Sequence, residues 1–597
     1  MSADMTRSQL RIAIGLSGGV DSAVAALVLE RCVHTALDVA ALRCFGGPRA
    51  PPPPLPTLRA AVDARTPLHE LLGKLVTPGK PDSPAAGGDA TPVQYTPFFM
   101  LNWHDDKAAS GWCVRAQVDY DDAQQVAKTL DLLPRDGTPL PSYDFSSEYA
   151  EQCFERMLDA YAVGHTLNVD VLCNSKIKFG ALMRALRRTG SAFSETLLAT
   201  GHYARTWNLS RGDHGGSDER QPVLLVRPCS AGRDLNDQSV FLSRVPPSAL
   251  ASAIFPLGHL FTCKADVRAL ATHSFGHSGG MAAVAHIPQK KTSTGICFIG
   301  PPSAVTRAGN TSCSSCFPSF LNEYLPPPRP PLLQSTRTAF CDAVTGEELF
   351  VPGDTATHAT DALPQSIVGR LSHSPPFGAL REDYPGCLPA YAFTLGQRVR
   401  LCRRTADGRG REAVHYVASK VLAPLPPSAL SDGKVPPVRV LAEVQVVAEW
   451  NNALLYTSQA TVASLRWWLP RPVLHQRAAT CHKHRIYRLR CHCCTRHQEA
   501  LQPATVEWEA ADEELSADAA VRVSRARVHF DAPLRAITPG QALVAYTSIL
   551  ALEEGWTTGY NASHGDTEPF PPETMAVIGS GWVVPSDSPP PGGPSLC

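Results

Sequence analysis

Arg11 to Leu16 is a short apolar run of the kind that makes a buried parallel strand, and Ala23 to Glu30 reads as a helix. A Gly-rich turn separates them. Further on, Pro97 to Leu101 predicts a strand, Asp121 to Leu132 a helix, Ser147 to Val163 an amphipathic helix, Ile177 to Arg188 another helix, and Leu197 to Thr200 a strand end. Strands alternating with helices predict βαβ units and a parallel sheet. Between about 45 and 95 the chain is rich in Pro, Gly and Ala with no sustained period, which predicts a long surface insertion. After Pro301 the texture changes. Pro326 to Pro331, Pro375 with Pro376, and Pro424 to Pro427 punctuate short β-like runs such as Ala442 to Val447. Val521 to Val528 and Ala542 to Tyr546, with a turn at Thr538 Pro539 Gly540, predict a short-stranded barrel or sandwich. The expected organisation is an α/β catalytic domain over 1–300, a small β-rich domain over 301–452, a β-barrel over 453–560, and a disordered tail over 561–597.

Composition narrows this picture. With 597 residues the chain is long enough for several domains, and Pro 53 and Gly 43 fit folded units joined by spacers. Lys+Arg and Asp+Glu are both 55, so no whole-chain field steers a polyanion, and any nucleic acid must meet a local patch. No uninterrupted apolar run is long enough for a membrane-spanning helix, and the N-terminus lacks the apolar stretch of a secretory signal. A soluble, unsecreted protein with mostly reduced thiols among its 18 cysteines is expected.

Gly15 Leu16 Ser17 Gly18 Gly19 Val20 Asp21 Ser22 lies between the first strand and the first helix, where glycine N–H groups and a helix N-terminus can converge on an anion. The spacing and lysine of a Walker A loop are missing, and so is GxGxxG. Ser17 and Ser22 offer hydroxyls, and Asp21 a carboxylate for Mg²⁺. An ordinary Gly-rich turn with a Ser cap is the alternative. Two cysteines stand in distinctive settings: Cys173 follows Asn168 and Asp170 and precedes Lys176 and Lys178, and Cys297 lies in Thr292 Ser293 Thr294 Gly295 Ile296 Cys297 Phe298. Neighbouring lysines and a helix start favour the thiolate, the form that attacks sulfur. Small buried thiols are the alternative.

The string SGGVDS resembles the PP-loop of ATP pyrophosphatases, and with the two cysteine segments the chain resembles the tRNA-specific 2-thiouridylases, bacterial and mitochondrial. The likeness is collinear through Phe99 to Trp103, Val118 to Ala123, Ala199 to Tyr203, Asn236 to Ser239, Phe255 to Gly258, Tyr391 to Arg398 and Ala536 to Gln541. It implies a PP-loop domain followed by a small β-rich domain and a C-terminal β-barrel. It also implies use of ATP and Mg²⁺, adenylation of the wobble uridine O2 in tRNAs for Lys, Glu and Gln, and sulfur delivery from a persulfide on Cys297, loaded by an upstream donor protein. Cys173 would then close a disulfide with Cys297. By the same resemblance Gly15, Leu16, Ser17, Gly18, Gly19, Val20, Asp21, Ser22, Met100 and Gly201 are nucleotide-binding positions, with Asp21 also catalytic. Asn168 and Asp170 would embrace the target base, and Asn236, Asp237 and Gln238 would meet tRNA. Leu167 and Val169 stand where the family usually has prolines, which leaves the loop's backbone angles less constrained. Asn236 stands where a lysine is common.

From Arg466 to Arg496 there are eight Lys or Arg and no Asp or Glu, with Trp467, Trp468 and Tyr487 interleaved. Such a stretch suits phosphates and unstacked bases, while a solvated basic face is the alternative. Within it Lys483, Arg485, Tyr487 and Arg488 resemble the family's tRNA contact. Lys176, Lys178, Arg184, Arg187 and Arg188 make a second basic cluster. The Cys/His cluster at 481–497 and the Cys313, Cys316 pair lack the two well-spaced ligand pairs of structural zinc, so no metal site is expected there. Two other readings stand beside the thiouridylase: another PP-loop ligase or amidotransferase, and a noncatalytic RNA-binding relative. Location is expected to be mitochondrial on the family's habit, with Arg7 and Arg11 among Ser2, Thr6 and Ser8 as a short basic start, and cytoplasmic as the alternative.

Overall fold

The structure is a computed structural model that describes residues 10–33, 93–104, 114–189, 195–208, 223–228, 236–261, 263–275, 282–290, 324, 339–349, 393–404, 410–424, 439–481, 485–515, 521–549, 551–552 and 575–585. Cys297, Lys483 and the body of the insertion lie outside them. Strands β1 (Leu10–Gly15), β2 (Val93–Leu101), β3 (Ser142–Asp144), β4 (Glu195–Ala199) and β7 (Ala253–Ile254) form an all-parallel sheet in the order β3-β2-β1-β4-β7. Both faces of the sheet are covered by apolar clusters, so β1 and β4 are apolar almost throughout, as buried parallel strands must be. The chain leaves β1 through helix α1 (Val20–Cys32). It then adds β2 on one side of β1 and later β4 on the other, so the end of β1 is the switch point where an open α/β sheet binds its ligand.

Helix α2 (Val114–Thr129) follows β2 and starts one to two turns earlier than the periodicity predicts. Helix α3 runs unbroken through Val169–Leu172, a π-helical stretch Cys173–Leu182, and Met183–Thr189. It therefore begins before Cys173 rather than after it. A hairpin of β5 (Arg205–Asn208) and β6 (Val223–Val226) projects from the catalytic domain, and helix α4 (Lys264–Phe275) packs on α1.

The central unit is a mixed sheet of β8 (Ala339–Asp342), β9 (Glu348–Leu349), β10 (Arg398–Arg404), β11 (Gly410–Pro424) and β12 (Arg439–Val447), in the order β10-β11-β12-β8-β9. The C-terminal unit is a closed six-stranded barrel. Its staves are β13 (Tyr456–Trp467), β15 (Ile486–Cys494), β16 (Gln502–Glu509), β18 (Val521–Arg535), β19 (Ala542–Ser548) and β20 (Met575–Val584). Short β14 (Ala479–Cys481) and β17 (Glu513–Leu515) pair with β15 and β18. Pairing of β13 with β20 closes the ring and leaves no barrel edge.

The expectation of a disordered tail over 561–597 is therefore corrected: nine of the ten residues of β20 are buried, and the barrel is open without it. The Pro, Gly and Ser around it mask a run, Met575 to Ile578 and Trp582 to Val584, that is apolar enough to be a stave. Strand β2 begins at Val93. Strand β20 also pairs with β6 of the catalytic domain, and Ser239 meets Tyr546 at 2.9 Å while Arg244 donates to the carbonyls of Ser464 and Ser580 at 3.1 and 3.0 Å. One apolar cluster runs from α3 into the barrel, so the two domains share a core.

Candidate active site

The phosphate loop is built from its own hydroxyls. Ser22 Oγ donates to the Gly19 carbonyl and accepts the Ser17 N–H, both at 3.1 Å, and the two serine hydroxyls share a further hydrogen bond. Gly18 has φ +69°, and a Cβ there would lie 2.2 Å from the Asp119 carbonyl oxygen, so only glycine fits the turn. Gly19 is the N-cap of the 13-residue α1. Gly15 ends β1 beside Phe98, and Gly201, just after β4, lies against the Asp21 and Ser22 backbone. Leu16 and Val20 are buried, and Met100 packs half-buried at the end of β2. The predicted nucleotide-binding positions thus gather at one switch point.

Asp21 is held from two sides. Tyr203 donates its hydroxyl to Oδ1 at 2.7 Å, and Lys264 Nζ lies 3.1 Å from Oδ2. Burial and the Asp21 charge push the Tyr203 phenol pKa up, so it stays a donor. Lys290 donates to the Gly18 carbonyl at 2.9 Å and pairs with Asp119 and Asp122 at 2.8 and 2.5 Å. Burial lowers the affinity of Lys290 for its proton, but the two carboxylates outweigh burial and the net shift is upward. Lys264, Lys290, Tyr203 and Asp119 surround the loop from distant segments and were not singled out as site residues in the sequence. The only signal for them was that Asp119 and Tyr203 stood in collinear segments.

Cys173 lies one turn into α3, buried, with the Asn102 side-chain amide 3.9 Å from its sulfur. Asn102 follows β2, the neighbour of β1, and its Oδ1 is buried without a hydrogen bond among the described residues. Cys173 therefore lies inside the helix rather than ahead of its start. Lys178 lies close enough to act on Asp170 and His202. Burial raises the Asp170 pKa, which Lys178 partly offsets. Burial and then the Lys178 charge drive the His202 pKa well down, so His202 is a neutral imidazole, hydrogen-bonded to Thr200 at 2.7 Å. The predicted partner Cys297 lies outside the described residues.

Asn168 caps α3, its side chain accepting the Asp170 N–H at 3.2 Å. The loop before it is held from two other domains. In the barrel the Pro539 and Gly540 carbonyls accept the N–H groups of Thr166 and Asn168 at 2.8 and 3.3 Å, and Gln541 donates to the Thr166 carbonyl at 2.5 Å. From the central sheet Lys420 donates to the Gly164 carbonyl at 2.9 Å. Leu167 and Val169 are buried in the shared core, so packing and cross-domain hydrogen bonds do the work that prolines would otherwise do.

The other predicted tRNA contacts are internally engaged. Gln238 exchanges hydrogen bonds with the Tyr203 backbone, both at 3.0 Å, and Asp237 binds Arg227 at 2.6 Å and the Ser239 N–H at 2.9 Å. Asn236 meets His497 at 2.7 Å and Gln498 at 3.1 Å on the barrel.

The basic stretch is not a field of plus eight in space. Arg488 pairs with Glu507, Arg490 with Asp531, Arg496 with Glu499 and Arg471 with Glu513. Trp467 and Trp468 are buried in the barrel, so the reading of them as base-stacking rings is corrected. Tyr487 stacks on His475 at 4.4 Å and on Trp508 at 5.5 Å, and Arg485 is exposed. Cys491, Cys493 and Cys494 are buried thiols in β15, and the described residues hold no group of three His, Cys, Asp or Glu suited to a metal. Nor is any described helix long and apolar enough to cross a membrane.

Comparison with known proteins bears on this arrangement. The family profile described as tRNA methyl transferase HUP domain matches residues 89–301, and that described as aminomethyltransferase beta-barrel domain matches residues 473–550. The protein named tRNA-specific 2-thiouridylase MnmA in Stenotrophomonas maltophilia (strain K279a) is 30% identical over 460 residues, 76% of this chain and 84% of its own length. The protein of that name in Chlamydia pneumoniae is 28% identical over 460 residues, 77% of this chain and 88% of its own. That in Dichelobacter nodosus is 37% identical over 229 residues, 38% of this chain and 48% of its own. With the phosphate loop at the switch point of the parallel sheet and a closed barrel following it in the chain, the chain belongs to the tRNA-specific 2-thiouridylase family.

Proposed function

We propose that this chain is an ATP-dependent tRNA 2-thiouridylase acting on the wobble uridine of tRNAs for Lys, Glu and Gln. The observation that supports the reading is that the PP-loop follows β1 while Asn102, whose amide lies 3.9 Å from the Cys173 sulfur, follows the adjacent parallel β2, so the loop and the thiol lie toward the same edge of one sheet.

The uridine C2 carbonyl is a poor electrophile. Attack of its O2 on the α-phosphorus of ATP forms an O–P bond and releases pyrophosphate, which turns O2 into a leaving group. The terminal sulfur of a persulfide on Cys297 then bonds to C2 and AMP departs with the former O2. Attack of the Cys173 thiolate on Cys297 Sγ breaks the sulfur–sulfur bond, leaving sulfur on C2 and a Cys173–Cys297 disulfide that an external dithiol reduces. The persulfide comes from an upstream donor protein. Asp21, with the Ser17 and Ser22 hydroxyls, is an oxygen donor set suited to Mg²⁺, which when bound neutralises phosphate charge. Asn168 and Asp170, at the start of α3, orient the base. The mitochondrion is the compartment we assign, on the resemblance alone.

The test is mass spectrometry of wobble uridines from cells depleted of the protein, paired with pyrophosphate release by the purified chain on unmodified tRNA. Loss of 2-thiouridine and tRNA-dependent pyrophosphate release are expected. Unchanged 2-thiouridine in every compartment sinks the proposal. Ligation that survives Cys297→Ser would point to a PP-loop ligase instead.

A further inference from the structure

The reaction read for this chain uses Cys173 as a thiolate, yet its sulfur stands in surroundings that oppose one. Cys173 is 7% exposed and packs in the apolar cluster that runs from α3 into the barrel. Burial among apolar groups raises a thiol's pKa, so a thiolate there needs a hydrogen-bond donor. The donor that the structure brings to it is Asn102, whose Nδ2 lies 3.9 Å from Sγ. Asn102 is itself 8% exposed, and its Oδ1 is buried without a hydrogen bond among the described residues. A buried amide with a bare carbonyl end costs stability that an apolar side chain of similar size, such as leucine, does not. Among the described residues the hydrogen bonding of the Asn102 side chain goes to one atom, the sulfur. The backbone beneath it is rigid: Leu101 ends β2 in parallel register with Asp144 and accepts the Phe145 N–H at 2.8 Å, and Trp103 packs edge-on against Phe154 at 4.8 Å.

We propose that Asn102 is the positioning residue of the Cys173 thiolate: its amide N–H donates to the sulfur, holds it in the charged form and fixes its direction for attack on a sulfur–sulfur bond. A neutral thiol accepts a hydrogen bond weakly, which suits the long 3.9 Å contact, whereas a thiolate accepts a charge-assisted one that shortens. Since β2 lies beside β1, the sheet edge that carries the glycine-rich loop also carries the group that orients the thiol. The proposal rests on the functional reading above.

The experiment follows alkylation of Cys173 in the full chain by iodoacetamide, read by peptide mass spectrometry across a pH series, beside single-turnover 2-thiouridine formation over the same series. Wild type is compared with Asn102→Leu and with Asn102→Asp, which keeps the shape but has no N–H to donate. Both variants should bind ATP within about twofold of wild type, which marks an intact fold. The Cys173 alkylation midpoint should rise by about one to two pH units in Asn102→Leu and by at least as much in Asn102→Asp, whose carboxylate adds repulsion. Thiolation by Asn102→Leu should be about tenfold to a hundredfold slower near neutral pH, with the deficit closing as pH rises toward the new midpoint. In a chain that thiolates, a midpoint unmoved in both variants would overturn this proposal alone. So would a thiolation deficit of the same size at every pH, the mark of a merely structural role. A wild type that forms no 2-thiouridine would overturn the functional reading, and this inference with it.

Discussion

The Gly540 carbonyl, in the barrel, accepts the N–H of Asn168, the residue that caps the Cys173 helix, at 3.3 Å. Gly540 has φ +91°, and a Cβ there would lie 2.8 Å from the Thr166 carbonyl carbon and 2.9 Å from the Leu167 nitrogen. Gly540→Ala therefore combines left-handed strain with a clash against the loop that carries Asn168. A loss of about 2 kcal/mol of stability is expected, and at least tenfold slower 2-thiouridine formation with unchanged ATP affinity. Single-turnover thiolation beside calorimetric ATP binding checks it; equal losses in both would show that the barrel turn does not act through the loop.

Cys173→Ala removes one sulfur from a buried site, at a cost of about 1 kcal/mol. The variant should keep ATP affinity within about twofold and form no 2-thiouridine, as read by nucleoside mass spectrometry. Residual sulfur transfer above a few per cent of wild type would remove Cys173 from the chemistry.

Two groups at the domain junction make stability pH-dependent in the same direction. Burial, helped by the Lys420 charge, lowers the His165 pKa to about 4, so between pH 4 and its ordinary value of 6.5 the unfolded chain binds a proton that the folded one refuses. Stability falls as pH drops through that window. Burial lowers Lys420 to about 8 from 10.5, so between those values the unfolded chain again holds the extra proton and stability rises with pH. Thermal melts of wild type against His165→Gln should diverge below pH 6.5, and against Lys420→Met should change in difference between pH 8 and 10.5. Parallel curves in either window would show that the group titrates normally.

The basic barrel face separates two kinds of arginine. Arg485 is exposed and in no ion pair among the described residues, whereas Arg490 is held by both oxygens of Asp531. Arg485→Ala should flatten the dependence of log tRNA affinity on log salt by about one. Arg490→Ala should leave that slope within error. Filter binding across a salt series decides it, and equal slopes for the two variants would count against this face as the tRNA contact.

The α/β alternation and the SGGVDS turn were legible because each is local: a strand, a helix and a tight turn depend on residues a few positions apart. So was the small-module texture beyond Pro301. The start of α3 was misplaced, since Asn168 caps it by a side-chain hydrogen bond that periodicity does not register. Basic charge was overestimated, because the acids that answer Arg488 and Arg490 lie in β16 and β18, outside the window in which the charges were counted.

By itself the sequence determined most of the elements and the glycine-rich loop between β1 and α1, since these are written in short-range pattern and residue type. Only the tertiary structure decided that Lys264 and Lys290 attend the loop, that Met575–Val584 closes the barrel, and that Pro539 to Gln541 braces the Asn168 segment. Those relationships join residues distant along the chain, and what selects them is burial of a shared core and the need of each buried polar group for a partner, which no local pattern encodes.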